Sequence, residues 1–233
     1  MIGIRQPALV ARNWLLLHWA HVVGQPTLAL HGLQRSGTNY LLQRLMRAGF
    51  PVENAIVLRR NSVRHKHFRW QDDKTTIPGI LRPQYGNEIR ARSLDEVHAI
   101  AGYAATCRHI VIRKHELAWL KSILNWGLRC NWYLNREDAL AHGAEMLRDY
   151  KAYYEFWTIV GRVHPTRVLF VDYDSVTAVA DQLQMALRTI GVRVDRQWPA
   201  HESVGEVPMS PADRAEPISE NDIKQSFGPF TAA

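Results

Sequence analysis

The sequence predicts an α/β fold: a central parallel sheet with helices on both of its faces. Three observations carry this. The short apolar run Leu28–Leu30 stops at a glycine-bounded turn, and Leu41, Leu42, Leu45 and Met46 then recur at helical spacing. A second run, Ile110–Ile112, is followed by a helical pattern over 118–124, as expected of a strand buried on both faces and the helix after it. A long amphipathic pattern over 144–160, with Leu147, Tyr150, Tyr154 and Trp157 on one side, leads into a third run, Arg167–Val171. Strands alternating with helices in this way line up parallel in one sheet.

Composition bounds the rest. At 233 residues, with 46% hydrophobic and 22% charged content, the chain reads as one soluble globular domain. Its expected parts are an N-terminal helix within 1–26, an α/β core over 27–191 and an irregular C-terminal lid or tail over 192–233. The formal charge of +7 favours anionic partners without choosing among them. Two cysteines, Cys107 and Cys130, make neither a disulfide framework nor a zinc site, and the expectation is reduced thiols in a cytoplasmic protein. No apolar stretch approaches the roughly 20 residues needed to span a bilayer. Arg12, His18 and His21 punctuate the first apolar segment, which reads as an amphipathic helix. Leu15, Leu16, Trp19 and Val22 are expected to pack on the domain, with interfacial membrane contact the lesser use. The eleven histidines lack ligand spacing apart from the alternating pair His65 and His67, so no metal is expected.

In chain order, Gly24-Gln25-Pro26 ends the first helix. Gly32 and Gly37 then have the spacing of the two glycines of a P-loop, where a missing Cβ lets backbone N–H groups wrap an anion at a helix N-terminus. The lysine of a nucleotide triphosphate loop is absent, and Thr38 stands in its place. Cationic charge comes instead from Arg35, whose planar fork suits phosphate or sulfate oxygens, while Ser36, Thr38 and Asn39 add donors. A capped strand-to-helix turn that binds nothing is the plain alternative. The loop helix should run to about Arg47, closed by Gly49 and Pro51, and Ala55–Leu58 reads as a second strand. Arg59–Trp70 is a basic run, either a solvated surface or, at a strand end, a ligand-facing one. Gln71–Arg92 reads as a long loop, and Ser93-Leu94-Asp95-Glu96 as a capped helix start.

The segment Gly32-Leu33-Gln34-Arg35-Ser36-Gly37-Thr38-Asn39-Tyr40-Leu41 closely resembles the loop of sulfotransferases that grips the 5′-phosphosulfate of 3′-phosphoadenosine 5′-phosphosulfate (PAPS). The resemblance implies a P-loop NTPase-like three-layer α/β/α domain. It also gives a meaning to Arg108–Ser122: in that family a basic residue after the central strand and a serine eight positions later hold the cofactor's 3′-phosphate, and Lys114 and Ser122 have that spacing. Glu116 stands where the family usually has proline, and Arg113 is positioned to share or take over the role of Lys114. Lys66-His67-Phe68 looks like the Lys-His pair of bacterial relatives. Sulfuryl transfer needs a base for the acceptor proton and positive charge for the leaving phosphate, which His67 and Lys66 would supply, with His65 a rival for the base. Tyr173-Asp174-Ser175-Val176 is a weakened form of another family segment, and the Arg-Lys-Gly loop of cytosolic members is absent after Trp198.

The function implied is transfer of a sulfuryl group from PAPS to a hydroxyl or amine. Arg35, Ser36, Gly37, Thr38 and Asn39 would hold the 5′ end, and Arg113, Lys114 and Ser122 the 3′-phosphate. His67, Lys66 and Arg35 would carry the chemistry without a metal. An anionic or glycan-like acceptor is expected, and no nucleic acid. Two other classes fit the same residues: a P-loop kinase, weakened by the missing lysine, and a non-catalytic nucleotide- or polyanion-binding module.

Overall fold

Three short runs build the sheet in the computed structural model, which describes residues 7–56, 62–72, 88–174, 180–194, 217–228 and 230. They are β1 (Leu28–His31), β2 (Arg108–Arg113) and β3 (Val168–Asp172), parallel and in the order β1-β2-β3. The register sets Leu30 beside Ile110 and Ile110 beside Leu169, so β2 is central, as its unbroken apolar interior requires. The helices among the described residues are α1 (Pro7–Val22), α2 (Thr38–Arg47), α3 (Leu94–Ala101), α4 (Glu116–Arg129), α5 (Arg136–Ala141), α6 (Gly143–Val163), α7 (Ala180–Thr189) and α8 (Glu220–Phe227).

Side chains alternate along each strand, and this sorts the core into two halves. Leu28, Leu30, Ile110, Ile112 and Val171 face α2 and α7 through Leu41, Leu45, Leu183 and Leu187. Ala29, Val111 and Val168 face α3, α4 and α6 through Val97, Leu120, Ile123, Tyr153 and Trp157. The result is a mixed α/β domain, its parallel sheet flanked by helices on both faces. Local signals set the helix ends: Ser93 accepts from the Glu96 N–H at the start of α3, and Gly102 closes that helix with φ 66°.

Two expectations change. A second strand over 55–58 does not continue into Ala55 and Ile56, and Val57 and Leu58 lie outside the described residues. The free side of β1 is finished differently. Val52 makes a single parallel bridge to Leu28, and the Asn54 side-chain amide accepts from the Leu30 N–H (2.9 Å) and donates to the Leu30 carbonyl (2.6 Å). A side-chain amide thus stands in for the next peptide of a strand. The second change concerns α1. Leu15, Trp19 and Val22 point outward, with Trp14, while Asn13 and Ala20 are buried. Apolar and polar residues are both spread around this helix, so periodicity could not select its inner face. A polar clasp does: Asn13 donates to the Val52 carbonyl (3.0 Å) and accepts from its N–H (2.9 Å).

The segment after Pro217 is built into the core. Ile218 and Ile223 are fully buried, Asn125 of α4 pairs both ways with the Ile218 backbone, and Ser219 and Asp222 form a capping box on α8. The proline-rich stretch over 195–216 lies outside the described residues, as do Met1–Gln6, Arg59–Asn61, most of the expected long loop (73–87) and Ser175–Val176. Among the described residues, no helix is long and apolar enough to cross a membrane.

Candidate functional site

The turn from β1 into α2 is tightly determined. Gly32 has no room for a side chain, since a Cβ would lie 2.8 Å from the Ile112 carbonyl and from Ser36 Oγ. Gly37 needs glycine twice over: its φ is 92°, and a Cβ would come within 2.2 Å of the Tyr173 ring. Between them Arg35 also takes a left-handed conformation, φ 67°, without being glycine. Such a conformation persists only where the surroundings enforce it, and here they do. Ser36 Oγ donates to the Leu33 carbonyl (2.7 Å), Trp119 Nε1 of α4 donates to the Gln34 carbonyl (2.8 Å), and the Gly32 N–H donates to the Lys66 carbonyl (3.1 Å).

This fixed loop delivers the N-terminus of α2. Gly37 is its N-cap and supplies no side-chain acceptor, and the first turn holds no acidic residue. A helix start in that state keeps N–H groups directed at whatever lies beyond it and carries the positive end of the helix dipole.

Cations gather around the loop. Arg35 is exposed, its guanidinium 4.7 Å from the centre of the Trp126 ring and its Nε donating to Ser122 Oγ at 3.3 Å. Lys66 Nζ donates to Asn39 Oδ1 at 2.5 Å, in the first turn of α2. Burial holds the Lys66 pKa down to about 8. Lys114 lies 5.3 Å from the Tyr173 ring; burial lowers its pKa first, the neighbouring Arg35 charge second, and Asp174 opposes both.

The structure therefore brings the first loop and the Lys114–Ser122 segment together, because Arg35 reaches Ser122 and Lys114 feels Arg35. It does not bring every expected residue to one place. Arg113 pairs with Asp172 at the end of the sheet, Nε to Oδ1 3.2 Å, where the register sets those residues side by side. Ser36 is fully buried and its hydroxyl is committed to Leu33, so it shapes the loop. Thr38 is almost fully buried as well.

His67 lies against the loop rather than out in the cleft. Its ring is buried, with Nδ1 2.7 Å from the Gly32 carbonyl. A carbonyl only accepts, so Nδ1 carries the proton and Nε2 is left as the basic nitrogen. Burial first, then the neighbouring His65 and Lys66, hold this histidine well below its usual pKa, against the opposing hydrogen bond to Gly32, and the ring is neutral at pH 7. His65, 5.1 Å away between ring centres, accepts from the His67 N–H through Nδ1 at 3.3 Å, so its proton sits on Nε2. Of the two, His67 has the tautomer of a base at Nε2.

Sequence reasoning did not find what supports this segment. Arg69 is buried and clasps Asp149 of α6, Nε to Oδ2 2.8 Å and Nε to Oδ1 3.0 Å, while Gln71 Nε2 donates to the same carboxylate at 3.2 Å and Arg69 also reaches the His67 carbonyl. The signal was available, since Asp149 falls on the apolar stripe of α6 beside Met146, Tyr150 and Tyr153. Nor did it find the buried chain His31–His109–His98, with nitrogens 2.9 and 2.8 Å apart, directly beneath the loop strand.

Fold and site together define an α/β protein with a glycine-bounded loop at the start of α2, ringed by Arg35, Lys66 and Lys114. Among the described residues no cluster of histidine, cysteine and carboxylate side chains could hold a metal ion. No family model, no curated protein and no solved structure matches the chain.

Proposed function

We propose that this protein is a PAPS-dependent sulfotransferase with a P-loop NTPase-like three-layer fold, acting on a hydroxyl or amine acceptor. One observation carries the reading most: Arg35 of the loop meets Ser122 of α4 at 3.3 Å, so the two segments whose resemblance is to opposite ends of one nucleotide adjoin in space. The residues present fit such a ligand. The N-terminus of α2, Arg35 and Asn39 would hold the 5′-phosphosulfate, and Lys114 and Ser122 the 3′-phosphate. Arg113 is paired with Asp172 instead.

Bound there, the nucleotide would supply an activated sulfuryl group. The chain's own residues do the rest. His67 takes the acceptor proton at Nε2, its ring oriented by the Gly32 carbonyl. Lys66, whose pKa burial lowers, and Arg35 offset negative charge as it develops. Cys107 and Cys130, read as reduced thiols, suit a cytoplasmic setting. A saccharide or another polar, anionic acceptor suits the basic surroundings.

The test is transfer of labelled sulfate from PAPS to a panel of saccharide, phenol and amine acceptors, with chelator present. His67→Gln should lower turnover about 100-fold or more while leaving nucleotide affinity within about threefold. The burial of His67 favours a second reading, a non-catalytic module that binds the nucleotide. On that reading no acceptor is sulfated and the nucleotide still binds.

A further inference from the structure

We propose that α1 docks the protein on an anionic lipid surface. The helix is 16 residues long, about 24 Å, and its outward face is mainly apolar, with exposed His18 stacked on Trp14 and His21 paired with Glu53. Leu15, Trp19 and Val22 fall at helical spacing on one stripe and are 61%, 51% and 72% exposed, with Trp14 beside them at 63%. A shallow hollow of about 560 Å³, lined by Pro7, Val10, Ala11, Trp14, Leu15 and Ile56, continues this face. Exposed tryptophans flanking aliphatic side chains are the composition of a helix lying in a membrane interface.

Charge selects the occupant. The first 52 residues contain no carboxylate, and two of their arginines, Arg12 and Arg47, lie beside α1. Arg12 is exposed on α1 and donates to the Arg47 carbonyl at the end of α2, which sets both residues at the border of the apolar face. The nearest acid, Glu53, is buried beneath this region and already paired with Arg64 and His21. An apolar stripe edged by arginine and free of carboxylates is complementary to acyl chains under anionic headgroups. No helix among the described residues can span a bilayer, so the contact is interfacial. The placement also suits the site. α1 is fastened near the start of β1 through Asn13 and at the end of α2 through Arg12, whereas the anion loop lies at the opposite ends of both elements. Docking would leave the loop uncovered.

The test uses the full chain with vesicles of phosphatidylcholine, alone or with about 30% phosphatidylglycerol, read by co-sedimentation, with the oligomeric state followed by light scattering. Binding is expected to the anionic vesicles, at least tenfold weaker to neutral ones. Trp14→Ser/Trp19→Ser should abolish it, and Arg12→Gln should weaken it about fivefold, the usual worth of one basic residue at such a surface. These side chains are solvent-facing, so unchanged nucleotide binding and thermal unfolding check that the variants fold. Absence of vesicle binding, binding indifferent to Trp14→Ser/Trp19→Ser, or a dimer that this double variant splits would each overturn the proposal.

Discussion

Acid should destabilise this protein before its carboxylates protonate, and His31 shows by how much. The ring is fully buried at the end of β1, 4.3 Å between centres from Trp157, with Nε2 2.9 Å from His109 Nδ1. Burial first, and the nearby His98 second, lower its pKa to about 3. The unfolded chain binds a proton near pH 6.5 that the folded chain refuses until about pH 3. Over that window the unfolded state holds more protons, so stability falls as pH falls. Between about pH 7 and about pH 5, His31 alone should remove about 2 kcal/mol. His109 and His67, also buried and also held well below their usual range, act in the same direction. Urea unfolding at the two pH values measures the loss, and His31→Leu should reduce the difference by about 2 kcal/mol whatever it does to stability at pH 7. Equal stability at both pH values, or a loss indifferent to His31→Leu, would refute the reasoning.

Other outcomes follow from single contacts. Asp149→Ala leaves Arg69 buried without its carboxylate and should destabilise by about 3–5 kcal/mol, lowering the Tm by about 10 °C in calorimetry. Gly37→Ala drives a Cβ into the Tyr173 ring at a φ of 92° and should cost about 1–3 kcal/mol by urea unfolding, together with loss of nucleotide binding. Arg35→Ala removes a charge-assisted donor and should weaken binding of 3′-phosphoadenosine 5′-phosphate about 10- to 100-fold, Ser122→Ala by less, both read by titration.

The strands and helices were legible wherever a short segment carried its own signal. Ile110–Ile112 could only be interior, and Ser93 marks the start of α3 as sharply in sequence as in space. Gly32 and Gly37 announced a tight turn before the Tyr173 ring gave the reason for the second. What stayed hidden depends on partners far apart in the chain. Nothing local to Asn54 says that its amide completes the side of β1, and α1 spreads apolar and polar residues around its whole circumference, so only Asn13 meeting Val52 decides which face turns in. The basic run around Arg69 looked solvated because arginine usually is; Asp149, 80 residues on, is what buries it. His67 was legible as a candidate base but not as a ring held on the Gly32 carbonyl, which comes from the strand the loop leaves.

Calorimetric titration with 3′-phosphoadenosine 5′-phosphate, beside ATP with magnesium, tests the central claim most directly. The account predicts tight one-to-one binding of the 3′-phosphorylated nucleotide, preferred over ATP by tenfold or more, independent of magnesium and lost in Arg35→Ala. A preference for magnesium–ATP, or no binding of either, would contradict it.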